Sequence, residues 1–261
     1  MDIGFVGFGE AAYHIAKGLR PSGVTIRAFD IHQDTPKRRD LIRQRANETG
    51  TELMESNAAL ALASSLILST VTADQAVVAA EQTAPHLGAG HLYADLNSVS
   101  PGTKRNINEI ISARGAKFAE VAVMAPVPPS GHRVPLLIGG AGAEEFLGLL
   151  QPLGMRIEVS PGELGTASAT KMCRSIVVKG IEAVVTECVM SATHYGVDEN
   201  VLKSLNETFS NVQFEKLASY LVSRVAVHGE RRTREMEEVV KTVEEAGVED
   251  RKSTRLNSSH T

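Results

Sequence analysis

The sequence predicts an α/β fold, a doubly wound and mainly parallel sheet followed by an all-α C-terminal domain. Three observations predict it. Short apolar runs alternate with helical patterns through about the first 160 residues, as in a parallel sheet with helices on both faces. The chain opens on one complete unit of that kind: an apolar run, a glycine turn, a helical pattern and a second apolar run ending in an acid. After Gly162 the short apolar runs stop and only helical patterns remain.

Taken in order, the strand candidates are residues 3–6, 24–29, 65–69, 91–96, 118–123, 136–138 and 157–159. Helical spacing of apolar residues covers 11–19, 36–46, 73–83, 101–114 and 143–150. Residues 167–194 are long and apolar nearly all round, which predicts a buried helix. Residues 201–207, 212–227 and 231–245 are more amphipathic and predict three further helices. The expected division is a nucleotide-binding domain over 1–160 and a helical domain over 161–250. The last residues, 251–261, read RKSTRLNSSHT and break the preceding pattern. They read as a non-native tail that cuts short a longer helical domain; the alternative is an ordinary disordered terminus.

The opening unit carries chemistry. Gly7-Phe8-Gly9-Glu10-Ala11-Ala12 follows the first apolar run and opens a helical pattern. That is the G-x-G-x-x-G/A order of a Rossmann dinucleotide-binding unit, with Ala12 in the third small position. Gly7 permits the tight turn, Gly9 lets a diphosphate approach the backbone, and Ala12 lets helix and strand pack closely. The helix N-terminus offers N–H groups and a partial positive charge to the phosphates. Asp30 ends the second run, about 20 residues on, where a carboxylate accepts hydrogen bonds from the adenosine ribose. The same charge repels a 2′-phosphate, so NAD is favoured over NADP. Lys37, Arg38 and Arg39 follow closely. They either neutralise such a phosphate or form a solvated helix face.

A formal charge of −4 over 261 residues gives no reason to expect nucleic acid or an anionic membrane as partner. No apolar stretch reaches the roughly 18 residues that suggest a membrane span. The first strand starts almost at Met1, which leaves no room for a signal peptide. Cys173 and Cys188 fall on one predicted helix, roughly 22 Å apart at about 1.5 Å per residue, too far to bridge. A cytoplasmic, reduced protein is expected. No His/Cys cluster has metal-ligand spacing, so no metal is expected.

Three later segments carry a resemblance: Asp95-Leu96-Asn97-Ser98-Val99-Ser100-Pro101, Ala125-Pro126-Val127-Pro128-Pro129-Ser130-Gly131, and Gly162-Glu163-Leu164-Gly165-Thr166-Ala167-Ser168-Ala169-Thr170-Lys171. With the opening glycine motif they resemble, in the expected order, the β-hydroxyacid dehydrogenase superfamily, which includes 6-phosphogluconate and 3-hydroxyisobutyrate dehydrogenases. The resemblance covers residues 1–248. The run KMCRSIVVKGIEA is most similar to a branch with a C-terminal domain of unknown function.

The resemblance implies an NAD(P)-dependent oxidoreductase for a small, anionic β-hydroxy acid or related carbonyl compound, dimeric through its helical domain. It makes Lys171 the catalytic lysine, which holds and shuttles the proton of the substrate's reacting oxygen. Periodicity alone reads Lys171 as a solvated surface residue. Val71 and Thr72 fall where the family closes over the adenosine half of the cofactor. Asn97 and Ser98 fall near the nicotinamide and the substrate. Ser130 and Gly131 stand in for the family's Ser-Gly on the substrate side, although MAPVPPSGHR replaces the usual D-x-P-V-S-G-G and its extra prolines shift the register. Ser175 stands where the family keeps an asparagine, one helical turn after the lysine. Beside it, Arg174 either binds a carboxylate or phosphate or pairs with an acidic surface residue. His228, Arg231 and Arg232 sit where the family places a late lysine motif that reaches the site, or else form a solvated basic helix start with Glu230 and Glu235 as partners. The alternative function is a non-catalytic dinucleotide-binding protein, such as a redox sensor.

Overall fold

The structure is a computed structural model that describes residues 1–248, with the side chains of 227–232 outside the description. The elements are β1 (Asp2–Val6), α1 (Glu10–Leu19), β2 (Thr25–Phe29), α2 (Arg39–Thr49), β3 (Glu52–Leu53), α3 (Asn57–Ala63), β4 (Leu66–Ser69), α4 (Ala76–Thr83), β5 (Leu92–Asp95) and α5 (Pro101–Ser112). There follow β6 (Lys117–Val123), β7 (Leu136–Gly139), α6 (Ala143–Leu150), β8 (Ile157–Val159), α7 (Thr166–Tyr195), α8 (Asp198–Thr208) and α9 (Phe214–Glu245). They form two compact units that divide between Lys171 and Met172, inside α7.

The first unit is built on an eight-stranded sheet of order β3-β2-β1-β4-β5-β6-β7-β8. Its strand pairs are parallel except β6–β7. β4 and β5 are buried at every position, as strands covered on both faces must be. One core layer joins the sheet to α1, α2 and α6 through Ile15, Ile42 and Phe146. The other joins it to α3, α4 and α5 through Leu60, Ala80 and Ile107. Strand order reverses at β1, whose neighbours are β2 and β4. Crossovers leave this point on opposite faces, which opens a crevice at the carboxyl ends of the strands.

Three features differ from the sequence reading. β3 and α3 were not expected. β3 has two residues, too few for any alternation. α3 is a short Ala/Leu run whose start depends on the Ser56 hydroxyl, which accepts the Ala59 N–H at 3.1 Å. The two helices expected over 212–227 and 231–245 are one continuous α9. A single interior glycine, Gly229, costs only about 1 kcal/mol, too little to break a helix held at both ends by packing.

In the second unit Met172 and Ile176 pack with Met236 and Val239, and Val185 packs with Ala218 and Leu221. Between these apolar contacts Lys179 pairs with Glu235 at 2.8 Å. The expectation that α7 is buried all round fails here. Val177, Ile181 and Val184 are 60 %, 47 % and 62 % exposed. Among the described residues of this unit, α8 and α9 leave this stripe exposed. Among the described residues no helix is long and apolar enough to cross a membrane.

Candidate active site at the carboxyl edge of the sheet

The first unit gathers polar groups where β1, β2, β4 and β5 end. Gly7 leaves β1 with φ +84°, a left-handed conformation that glycine adopts without penalty. A Cβ there would lie 2.8 Å from Val71 Cγ1, so the loop after β4 rests directly on the glycine turn. A Cβ at Gly9 would meet nothing within 4 Å, so that glycine leaves open space in front of the turn. α1 starts at Gly9 with no side-chain cap, and its first intrahelical bond runs from Tyr13 N to Gly9 O. The amides of Ala11 and Ala12 precede that bond and lie at the open helix end. Ala12 is fully buried against the sheet, while Glu10 is exposed.

Asp30 is held in place at the end of β2. Its Oδ2 accepts the Phe8 N–H at 2.7 Å and its Oδ1 accepts the His32 N–H at 2.8 Å. Each carboxylate oxygen keeps a further lone pair for a ribose hydroxyl. Phe8 therefore contributes a backbone donor to Asp30, and its ring belongs to the core, edge-on to Phe5. Thr70 ties the neighbouring loop to the turn by donating to the Gly7 carbonyl at 2.7 Å. Thr72 stands at the N-cap position of the short 3-10 turn that follows, where its carbonyl accepts the Gln75 N–H at 3.0 Å. Open space at Gly9, a bare helix N-terminus and a braced carboxylate fit a dinucleotide. The glycine turn would hold its diphosphate, and Asp30 its adenosine ribose.

The end of β5 gathers buried polar groups. Lys104, 1 % exposed, pairs with Asp95 Oδ2 at 2.7 Å and donates to the Asp95 carbonyl at 2.6 Å. Asn97 uses its Nδ2 twice, donating to Asp95 Oδ1 and, at 2.9 Å, to Ser69 Oγ. The amide is thereby oriented, with a buried Oδ1 that has no hydrogen-bond partner. Beneath it the Tyr93 phenol is pushed well above the ordinary tyrosine range by burial, and secondarily by Asp95. Ser100 then caps α5 by accepting the Thr103 N–H at 3.1 Å, with Pro101 at the first helical position.

The start of α7 lies against this turn. Lys171 Nζ donates to Ser98 Oγ, and Ser168 Oγ donates to the Val99 carbonyl. Gly165 has φ +106°, and a Cβ there would lie 2.9 Å from Arg105 Nη1, so the chain enters α7 in close approach to α5. Below the helix, the fully buried Glu120 of β6 accepts the Gly165 N–H at 2.7 Å through Oε1. The same oxygen takes the Ala167 N–H at 3.4 Å, and Oε2 takes the Ser168 N–H at 3.3 Å.

The structure thus joins Lys171 with Ser98, Asn97 with the ends of β4 and β5, and Gly7 with Val71. It places Ser130 and Gly131 elsewhere, on the flank of α1. A Cβ on Gly131 would lie 3.3 Å from the His14 carbonyl oxygen, and His132 fills the space beside Gly18. Burial, and secondarily Arg133, holds the His132 imidazole below its ordinary pKa, as suits packing in the neutral form. Arg174 is exposed and Ser175 half-buried, both in the second unit. The side chains of His228, Arg231 and Arg232 lie outside the described residues. Sequence reasoning missed Lys104 and Glu120. The available signal was a charge at an apolar position: Lys104 shares its helix face with Ile107 and Ile111, and Glu120 interrupts FAEVAV.

A glycine turn, a bare helix end and a carboxylate at the strand-order reversal define a dinucleotide-binding Rossmann protein. The chain belongs to the 6-phosphogluconate dehydrogenase-like family: the NAD binding domain of 6-phosphogluconate dehydrogenase matches residues 2–146, and a domain of unknown function (DUF1932) matches 192–256. A conserved hypothetical protein from Sinorhizobium meliloti 1021 is 37 % identical, with a TM-score of 0.77 over 100 % of this chain and 87 % of its own. A conserved protein of unknown function, described as structurally similar to 3-hydroxyacid dehydrogenases, is 31 % identical, with a TM-score of 0.74 over 100 % of this chain and 95 % of its own. The mitochondrial 3-hydroxyisobutyrate dehydrogenase of Drosophila melanogaster is 27 % identical over 78 % of this chain. The chain spans 62 % of that enzyme's length.

Proposed function

We propose that this chain is a cytoplasmic NAD(P)-dependent oxidoreductase acting on the CH–OH group of a small β-hydroxy acid or related carbonyl compound, with NAD preferred over NADP. The observation that carries the reading is the hydrogen bond from Lys171 to Ser98, beside the oriented Asn97 amide at the strand ends. A nicotinamide, when bound, supplies the hydride acceptor or donor. Lys171 holds the proton of the substrate's reacting oxygen and takes or returns it, and Ser98 steers the ammonium. The glycine turn and α1 hold the diphosphate, Asp30 the ribose, and Val71 and Thr72 cover the adenosine side. Asn97 serves the nicotinamide side. In this reading Ser98 stands on the substrate side, next to the lysine.

The test is a panel of β-hydroxy acids, 3-hydroxyisobutyrate among them, followed by NAD(P)H absorbance. Turnover on one member supports the reading. NADH binding with no turnover across the panel favours the redox-sensing alternative.

Cofactor choice is expected to rest on Asp30. Arg39, one of the basic residues that follow Asp30, pairs with its neighbour Asp40 at 3.2 Å. Asp30→Ala should weaken NADH binding about tenfold or more, the scale of hydrogen bonds to a charged group, and abolish the preference over NADPH. Fluorescence titration checks this, and tighter NADPH binding that is unchanged in the variant would refute it.

We also propose a homodimer. Val177, Ile181 and Val184 repeat at helical spacing as an exposed apolar stripe on α7. Light scattering is expected to give twice the chain mass, and a monodisperse monomer would overturn the proposal.

A further inference from the structure

We propose that Glu120 is the positioning residue for Lys171: its buried carboxylate fixes where α7 begins, and so where the lysine one turn on meets Ser98. The inference rests on the reading of Lys171 as the proton-transfer group.

Glu120 is fully buried in the middle of β6, and its contacts in α7 are all backbone N–H groups of the entry and first turn. A carboxylate is acceptor-only and offers two oxygens, so it can seat several donors of one helix end. Charge-assisted bonds of this kind are stronger than neutral ones, and an anion at a helix N-terminus also meets the positive end of the helix dipole. The carboxylate is confined from the other side: opposite it in the β6–β7 register stands Gly139, where a Cβ would lie 2.7 Å from Glu120 Oε1. Its partners Gly165, Ala167 and Ser168 lie within two helical turns of Lys171. The same stretch is tied to the turn after β5 by Ser168 on the Val99 carbonyl and Lys171 on Ser98. Glu120 holds the helix from below, and the lysine reaches the turn from the helix. Glu120 acts through the backbone N–H groups of Gly165, Ala167 and Ser168.

Two substitutions test this. Glu120→Gln keeps the size but turns one acceptor into an N–H group that faces a backbone N–H. Gly139→Ala keeps the charge and pushes the carboxylate off its seat. Two readouts are taken on the full chain: kcat on an established β-hydroxy acid alongside the NADH dissociation constant, and the rate at which limiting acetic anhydride labels Lys171, by peptide mass spectrometry. Both variants are expected to lose about 10- to 100-fold in kcat, the scale of a displacement near 1 Å at a reacting group. NADH binding should stay within about twofold, because the glycine turn and Asp30 are untouched. Lys171 should label several-fold faster, with the other lysines unchanged. Wild-type kcat and wild-type labelling in both variants would overturn the proposal. So would parallel loss of NADH binding with faster labelling of every lysine, which would assign Glu120 to general stability. If the unsubstituted protein turns over no substrate, or Lys171→Ala keeps full turnover, the functional reading fails. The labelling contrast then still decides whether Glu120 positions Lys171.

Discussion

Lys171→Ala is expected to lower turnover about 100-fold or more, the scale of a lost general acid–base group. The substitution removes the ammonium that donates to Ser98 and leaves the glycine turn and Asp30 intact. NADH affinity is therefore expected to hold, which separates a chemical defect from a folding defect. Lys171→Arg should not rescue, because a guanidinium stays protonated at any working pH and cannot exchange the proton. Steady-state kinetics together with NADH titration check both variants. Near-normal turnover in the alanine variant would remove Lys171 from the chemistry.

Lys104→Met carries the largest expected cost in stability. Lys104 and Asp95 are both at most 1 % exposed, so removing the cation leaves a carboxylate buried without its counter-charge. Breaking a buried pair from one side costs about 3–5 kcal/mol. Urea unfolding should show that loss as a lower midpoint at unchanged slope. Asp95→Asn in the Lys104→Met background should recover much of it, because the neutral amide no longer demands a cation. A loss below about 1 kcal/mol, the range of exposed pairs, would mean that water reaches the pair.

The opening unit is legible in the sequence because everything that defines it is local. The glycines, the helix period and Asp30 lie within thirty residues, and the structure adds only that Phe8 N braces the carboxylate. Seven of the eight strands are legible for the same reason; β3, with two residues, has no pattern to read. Lys171 is different. Its helix periodicity describes a surface lysine, and only the resemblance of the segment around it marks it out. Glu120 is hidden by distance along the chain, since its partners lie 45 to 48 residues away. Lys104 has an exposed cation, Arg105, as neighbour, and only its place on the Ile107–Ile111 face sets it apart. The path of the loop through Ser130 and Gly131 is not legible from motif letters. Prolines and a buried Val127 and Val134 carry it onto α1, a tertiary choice.

The antiparallel pairing of β6 with β7 has a consequence for the order in which the protein is assembled. Their connection runs over residues 124–135 only, while β1 must wait for β4 across more than half a hundred residues. Loop-closure entropy grows with length, so the hairpin is among the easiest non-helical contacts for the growing chain to make. It also lies N-terminal to α7, so it leaves the ribosome first. Glu120 and Gly139 face each other within it. The groups that seat α7 thus belong to a local contact that precedes the helix along the chain.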